Sequence, residues 1–258
     1  MKYYIFDVDG TLTPSRGLMD PEFKKWFLKF NSENPVYLAT GSDAPKTVEQ
    51  IGKDVFAEVQ RVYNCSGNSV WEKGVNIYNN DWKLEQLPWH FLETKLIHHK
   101  FEPKTGKHFD ERPGLLNYSI VGRNANTEQR KKYVEYDLAN NDRFDIAKEF
   151  NNNFSKEYNV VAQVAGETGM DIMHIGKGKQ QILDDFIPEA EIVFFGDKCQ
   201  QGGNDFDIAY AVRQRENGVV YHVEDWEETW RILQTLGQFM QQFYPIGFVQ
   251  IPITSIIL

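Results

Sequence analysis

The sequence predicts an α/β fold: a parallel, doubly wound sheet interrupted by an inserted α+β unit that carries an antiparallel sheet. Three observations lead there. Short apolar runs alternate with helical stretches from Lys2 to about Cys65, the rhythm of a parallel sheet. That rhythm breaks near Asn79, where segments of a different order begin. It resumes after Ile175 and runs to about Leu236.

Lys2–Phe6 (KYYIF) reads as a buried strand that Gly10 ends. Met19–Phe30 reads as a helix, because Pro21 suits a first turn and Phe23, Trp26, Phe27 and Phe30 recur on one face. Pro35–Ala39 is a second strand, followed by Thr40-Gly41-Ser42-Asp43 with Ser42 as the expected helix cap. Lys46–Gly52 fits a helix and Arg61–Cys65 a third strand. In the insert, Leu84–Lys100 places Leu87, Phe91, Leu92 and Leu96 on a helical period. Leu115–Val121 and Val160–Ala165 read as antiparallel strands, with helix between them from Thr127. Asn126 and Gln129 there form a capping-box pattern. Met170–Ile175 is a further strand, Gln180–Phe186 a helix, Glu191–Phe195 and Val219–Val223 strands, and Trp226–Leu236 a closing helix. The expected division is a core at 1–81 and 176–238, an insert at 82–175, and an apolar tail at 239–258.

Composition excludes some functions. The 258 residues carry 28 Lys and Arg against 37 Asp and Glu, a net charge of −9. Nucleic acid is an unfavourable partner for such a chain, because a phosphate backbone needs a basic footprint. Two cysteines without a CxxC pattern suit a reducing, cytoplasmic setting. The tail, broken by Pro245, Gly247 and Pro252, is short for a membrane span. It is expected to pack or to be disordered rather than to anchor the chain. His98 and His99 are adjacent and lack metal-ligand spacing, and nothing near Cys199 marks it as a nucleophile.

Four elements carry chemistry. Asp7 and Asp9 stand two residues apart at the end of the first strand. Residues so spaced on a strand share a face, and open α/β sheets place their chemistry at that edge. Paired carboxylates need a cation, and Mg²⁺ suits hard oxygen ligands. One Asp can then attack phosphorus while the other handles the proton. Thr40 ends the second strand, where its hydroxyl can bond a phosphoryl oxygen. Lys179 follows Gly176-Lys177-Gly178, which lacks the Ser or Thr of a nucleotide-binding P-loop; the lysine instead suits charge neutralisation at the nucleophile. Asp197 ends the strand Phe194-Phe195-Gly196, and Gly202-Gly203-Asn204-Asp205 adds a further acid. Asp7, Asp197, Asp205 and the backbone carbonyl of Asp9 are the expected Mg²⁺ ligands. Each element alone has a plainer reading, as a solvated turn, a helix cap or a surface lysine.

In this order the four elements resemble the motifs of the haloacid dehalogenase (HAD) superfamily, whose core is a Rossmann-like parallel sheet. The insert resembles the α/β cap of one of its subgroups. A closer resemblance, to eukaryotic-type phosphomannomutase, rests on Asp7-Val-Asp-Gly-Thr-Leu-Thr with Arg16, on Arg112-Pro-Gly-Leu-Leu-Asn-Tyr-Ser-Ile-Val-Gly-Arg123, and on Gly196-Asp-Lys with Gly-Gly-Asn-Asp. It implies that Arg112, Arg123 and Arg130 bind a sugar phosphate, with Arg16 at the hinge side and Asp171 on the sugar hydroxyls. Guanidiniums recognise phosphate without a metal, often bidentately. Glu128, Glu135 and Asp137 are alternative salt-bridge partners for those arginines. The resemblance also implies a hexose bisphosphate activator and a homodimer through the cap.

The implied reaction interconverts mannose 6-phosphate and 1-phosphate through an aspartyl-phosphate on Asp7, with Asp9 as acid and base. A Mg²⁺-dependent sugar-phosphate phosphatase is the alternative, and a non-catalytic sugar-phosphate binder a more distant one. Two departures stand out. Gly169 replaces a family serine that contacts substrate, and Ala209-Tyr-Ala-Val-Arg-Gln replaces an acidic turn that holds a second cation.

Overall fold

Strand β1 (Lys2–Phe6) lies inside a sheet, with hydrogen-bonded parallel neighbours on both sides. A strand covered on both faces reads as a continuous apolar run. Tyr4 and Phe6 enter one hydrophobic cluster and Ile5 the other. The computed structural model describes residues 2–243.

The chain continues through α1 (Pro21–Glu33), β2 (Val36–Ala39), α2 (Ala44–Glu58), β3 (Arg61–Asn64), β4 (Ser69–Glu72) and β5 (Val75–Asn79). It then forms α3 (Gln86–His98), β6 (Phe109–Arg112), β7 (Leu115–Tyr118), α4 (Thr127–Asn140), α5 (Asp142–Tyr158), β8 (Val160–Ala165) and β9 (Gly169–His174). A 3₁₀ segment, Lys179–Asp185, leads back to β10 (Glu191–Gly196), α6 (Phe206–Arg213), β11 (Gly218–His222) and α7 (Trp226–Phe243). The large sheet has the order β11-β10-β1-β2-β3-β4-β5. Its first five strands are parallel, and β4 and β5 add an antiparallel hairpin. One face buries Phe23 and Phe27 of α1, Ile51 and Val55 of α2, and Leu233 of α7. The 3₁₀ segment and α6 cover the other through Ile182, Leu183, Ile208 and Val212. Because β1, β2 and β10 run the same way, their following residues Asp7, Thr40 and Asp197 emerge at one edge.

The inserted unit is a four-stranded antiparallel sheet of order β6-β7-β9-β8. Leu116, Tyr118, Met170, Ile172, Val160 and Ala162 face a cluster that includes Phe150 and Phe154 of α5. The alternate positions point away from those helices, as a period of two requires. There the register aligns Asp110 with Asn117, Asn117 with Asp171, and Asp171 with Gln163, a polar row across all four strands. Leu115 and Met173 on the same face cluster with Cys65 of the large-sheet unit. Arg112 Nη1 donates to Gly41 O at 3.0 Å, and Gln163 Nε2 to Asp207 Oδ2 at 2.9 Å, across the same gap.

The predicted fold class agrees with this architecture, and several elements differ in detail. β4, β5, β6 and α6 were not among the expected elements. The helix expected from Thr127 is two helices, broken where Asn141 adopts φ 58°, a conformation Asn tolerates. Its capping box does form: Gln129 N donates to Asn126 Oδ1 and Asn126 N to Gln129 Oε1, each at 2.9 Å. Asp43 rather than Ser42 caps α2, accepting from Lys46 N at 3.1 Å. That helix passes the expected stop at Gly52, which sits at φ 86° inside it. The segment expected as helix at Gln180–Phe186 is 3₁₀. Among the described residues, no helix is long and apolar enough to cross a membrane. The reading of the tail falls mostly on residues 244–258, outside the described part.

Candidate active site

Asp7 is held directly past β1 by its N–H, which donates to Phe195 O of β10 at 2.9 Å. Its carboxylate is buried, and Oδ1 accepts from Lys179 Nζ at 2.5 Å. The same ammonium donates to Asp205 Oδ1 at 2.5 Å. Asp205 is fully buried and also accepts from Lys198 N at 3.3 Å through Oδ2. Asp197 pairs with Lys198 Nζ at 2.8 Å through its Oδ2. Gly10 makes this crowding possible. It sits at φ 82°, and a Cβ there would lie 2.5 Å from Asp197 Oδ2.

Three carboxylates therefore share two ammonium groups, leaving an excess negative charge around a buried Asp7 and Asp205. Burial pushes the Asp7 carboxyl well up, reinforced by Asp205 and Asp197 and opposed by Lys179. Burial likewise raises Asp197, against the pull of Lys198. Burial opposes the charge on Lys179, but Asp205 and Asp7 outweigh it and hold the ammonium protonated. Such a site favours a proton or a cation. Asp7, Asp197 and Asp205 each offer an oxygen within 4.8 Å of the others. Asp197 Oδ1 is buried and has no hydrogen-bond partner. An all-oxygen donor set with one orphaned carboxylate oxygen fits a hard divalent ion such as Mg²⁺.

The Asp9 carboxylate is turned elsewhere. Its Oδ1 accepts from Arg16 N and Gln50 Nε2, both at 2.8 Å, and Oδ2 from Ser42 Oγ at 3.4 Å. Its side chain is not in the three-acid cluster, so a metal contact from Asp9 would come from its main-chain oxygen. Thr40 is buried, and its Oγ1 accepts from Ser42 N at 3.1 Å. The hydroxyl proton is thereby left to donate into the cavity.

One cavity joins these groups to the inserted unit. Asp7, Asp9, Thr40 and Asp197 line it from the large-sheet edge, with Arg16 beside Asp9, and Arg112, Arg123 and Asp171 line it from the inserted unit. Arg112 reaches it in a fixed pose, with Nε and Nη2 bonded to Asp110 Oδ2 at 2.9 and 2.8 Å. Burial opposes the charge of Arg112, and Asp171 and Asp110 restore it. Arg123 is depressed by burial and by Arg112, and Arg16 by burial, Arg130 and Arg123. Asp171 is raised by burial against the pull of Arg112 and accepts from Asn117 Nδ2 at 2.6 Å.

Lys179 and Asp205 lie behind the cavity wall, where Lys179 bonds both Asp7 and Asp205. Arg130 is also behind it: the guanidinium is buried and pairs with Glu167 at 3.0 Å, and Glu167 lines the cavity. The partners suggested for these arginines from sequence are not used. Asp137 binds Arg143 at 2.8 Å, and Glu128 pairs with Lys132. Gly169 stands beside Asn117, whose Nδ2 would be 2.8 Å from a Cβ added there. A side chain at 169 would press on that amide, so Asn117 supplies the polar group beside Asp171.

Sequence reasoning did not single out Asp110, Asn117, Gln50, Lys198 or Glu167. Asp110 and Asn117 carried a faint signal, since each stands two residues from another member of the same face, Arg112 and Leu115. Asp110 should also leave a mark on acid stability. Burial alone would raise its carboxyl, yet bonds from Lys107 and Arg112 hold it below the usual range. A depressed folded-state pKa contributes stability above the unfolded value, near 4, and loses it as pH falls through the folded value. Asp110→Asn should therefore unfold at lower urea than wild type at pH 7. The gap should close as both proteins are titrated below about pH 4, and a gap of constant size would exclude this linkage.

The fold and this edge of carboxylates, lysine and threonine define a phosphotransferase of the HAD class. A solved structure of the C. albicans trehalose-6-phosphate phosphatase C-terminal domain superposes with TM-score 0.61 at 14% identity, covering 92% of this chain and 93% of that one. The family model described as eukaryotic phosphomannomutase matches residues 23–239. An Arabidopsis thaliana phosphomannomutase is 32% identical over 214 residues, 79% of this chain and 85% of that protein. The Saccharomyces cerevisiae phosphomannomutase is 30% identical over 241 residues, 90% of this chain and 92% of that protein. The chain belongs to the eukaryotic phosphomannomutase family.

Proposed function

We propose that this protein interconverts hexose 6-phosphate and hexose 1-phosphate, with mannose as the sugar, through an aspartyl-phosphate. The observation that supports this most directly is the single cavity, with a lysine-held nucleophile at the large-sheet edge and arginines on the inserted unit. A sugar carrying phosphates at both ends matches that distribution. Hydrolysis alone needs only the acidic end.

Asp7 would attack phosphorus through the carboxylate oxygen not held by Lys179, forming an O–P bond as the sugar oxygen departs. Asp9, fixed by Gln50 and the Arg16 amide, would give that oxygen a proton and take one back from the accepting hydroxyl. Thr40 would donate to a phosphoryl oxygen. Lys179 would keep Asp7 and Asp205 from repelling the incoming phosphate. Mg²⁺, held by Asp7, Asp197 and the Asp9 carbonyl with Asp205 behind, would neutralise charge on the transferring oxygens. Arg112, Arg123 and Arg16 would hold the far phosphate, and Asp171 the hydroxyls, with the inserted unit as a cap that excludes water. The buried cysteines Cys65 and Cys199, both pushed up to about 12 mainly by burial, suit a reducing cytoplasmic setting. Exposed Leu138 and Phe144, on the outer helices of the cap, suit a homodimer through that unit.

The test is an assay with Mg²⁺ and mannose 1-phosphate, with and without a hexose 1,6-bisphosphate activator. Mannose 6-phosphate should accumulate, faster with the bisphosphate. Stoichiometric release of inorganic phosphate would overturn the mutase reading in favour of a phosphatase. Binding without turnover would leave only the binder.

A further inference from the structure

Glu167 stands on the tight turn between β8 and β9, in the wall of the cavity on the side of the inserted unit. Its Oε2 accepts from Arg130 Nη2 at 3.0 Å. Arg130 is 7% exposed, and its Nη1 is buried with no hydrogen-bond partner. A buried guanidinium with an unmet N–H is a cation short of acceptors. Arg16 and Arg123 add to the excess of positive charge, each depressed by burial and by neighbouring arginines, Arg130 among them. Asp110, 3.7 Å from Arg123, with Asp171 and Asp9 offsets part of the charge on Arg123 and Arg16, and Glu167 is the carboxylate that meets Arg130. A phosphate brings up to two charges and three strong acceptor oxygens.

We infer that Glu167 is an internal competitor: from the cavity wall it covers Arg130, which lies behind it, and it is displaced when the far phosphate arrives beside Arg16 and Arg123 and takes its place on Arg130. The inference rests on the sugar-phosphate reading given above. It deepens that reading by naming the residue that sets the affinity of the distal site. The geometry permits the exchange. The backbone of the turn is pinned, because Arg143 Nη1 donates to Gly166 O at 3.1 Å and to Gly169 O at 3.3 Å. Ser119 Oγ donates to Thr168 O at 2.8 Å on the other side. The Glu167 side chain itself is 48% exposed, and a Cβ added at Gly166 would meet nothing within 4 Å. The carboxylate can therefore swing into solvent by rotating its own side chain, with no movement of the strands. A tethered group competes at an effective concentration in about the millimolar range. Anions of weak intrinsic affinity are thus kept out of the site, and the grip on a bisphosphate is loosened when it must turn around.

The experiment is a phosphorus NMR titration of inorganic phosphate into wild type, Glu167→Gln and Glu167→Ala, in EDTA so that the acidic end does not recruit the anion. Removing a competitor present in about nine-tenths of the molecules should tighten phosphate about tenfold in both variants. Glu111→Gln controls for net charge, since Glu111 is exposed and pairs with Lys83. Unchanged or weaker phosphate binding in the Glu167 variants would overturn the inference, and so would an equal gain in Glu111→Gln. In the mutase assay the Glu167 variants should lower KM for mannose 1-phosphate by a similar factor. If no protein forms mannose 6-phosphate, the mutase reading fails, while the phosphate titration still decides the role of Glu167.

Discussion

Replacing Asp7 with Asn should abolish turnover while leaving the protein folded. An amide nitrogen or oxygen does not accept a phosphoryl group as a carboxylate does, so the loss should reach at least about 10⁴-fold. The fold has reason to tolerate the change. Asp7 is a buried carboxylate pushed up by burial and by Asp205, and removing its charge relieves that crowding. Lys179 keeps Asp205 as a partner at 2.5 Å. The thermal midpoint should therefore equal or exceed that of wild type. A variant that turns over at the wild-type rate would exclude Asp7 as nucleophile, and one that fails to fold would exclude this account of its surroundings.

Lys179→Met should have the opposite profile, with stability and activity lost together. The ammonium is buried, and its removal leaves Asp7 and Asp205 facing each other without compensation. Breaking a buried ion pair from one side costs about 3–5 kcal/mol. Urea unfolding in EDTA should show a drop of that order, and added Mg²⁺ should restore part of it by binding the folded form. A midpoint unchanged in EDTA would mean that the lysine does not hold the two carboxylates together.

The sequence made the large-sheet unit readable because burial on both faces forces long apolar runs, and each run ended in a chemically distinctive residue. KYYIF before Asp7 and EIVFFG before Asp197 are of this kind. Short or half-exposed strands give no such run. β6 reads FDER and β5 reads VNIYN, with four of the five β5 residues exposed, so neither rises above loop in a periodicity count. Helix ends were readable where a local bond decides them, as at Asn126 and Gln129. The cap of α2 was misplaced by one residue because Ser42 and Asp43 are both good caps. Contacts made by tertiary approach left no trace. Glu167 lies 37 residues from Arg130, and Gln50 lies 41 from Asp9. The polar row Asp110–Asn117–Asp171–Gln163 exists only once register is fixed.

The register of β1 carries a consequence for the newborn chain. Phe6 pairs with Phe195 on one side and with Leu38 on the other. One neighbour is thus available almost at once, and the other only after some 190 residues have been synthesised. Pairings of such long separation close late, because loop entropy must be overcome before the contact forms. The inserted sheet, whose strands all lie between residues 109 and 174, can complete its own pairing first. Asp7 therefore waits without Lys179, Asp197 or Asp205 until β10 docks. The three-acid cluster is completed by the last-made half of the polypeptide, and a chain truncated before residue 191 would carry Asp7 with neither Asp197 nor Asp205 beside it.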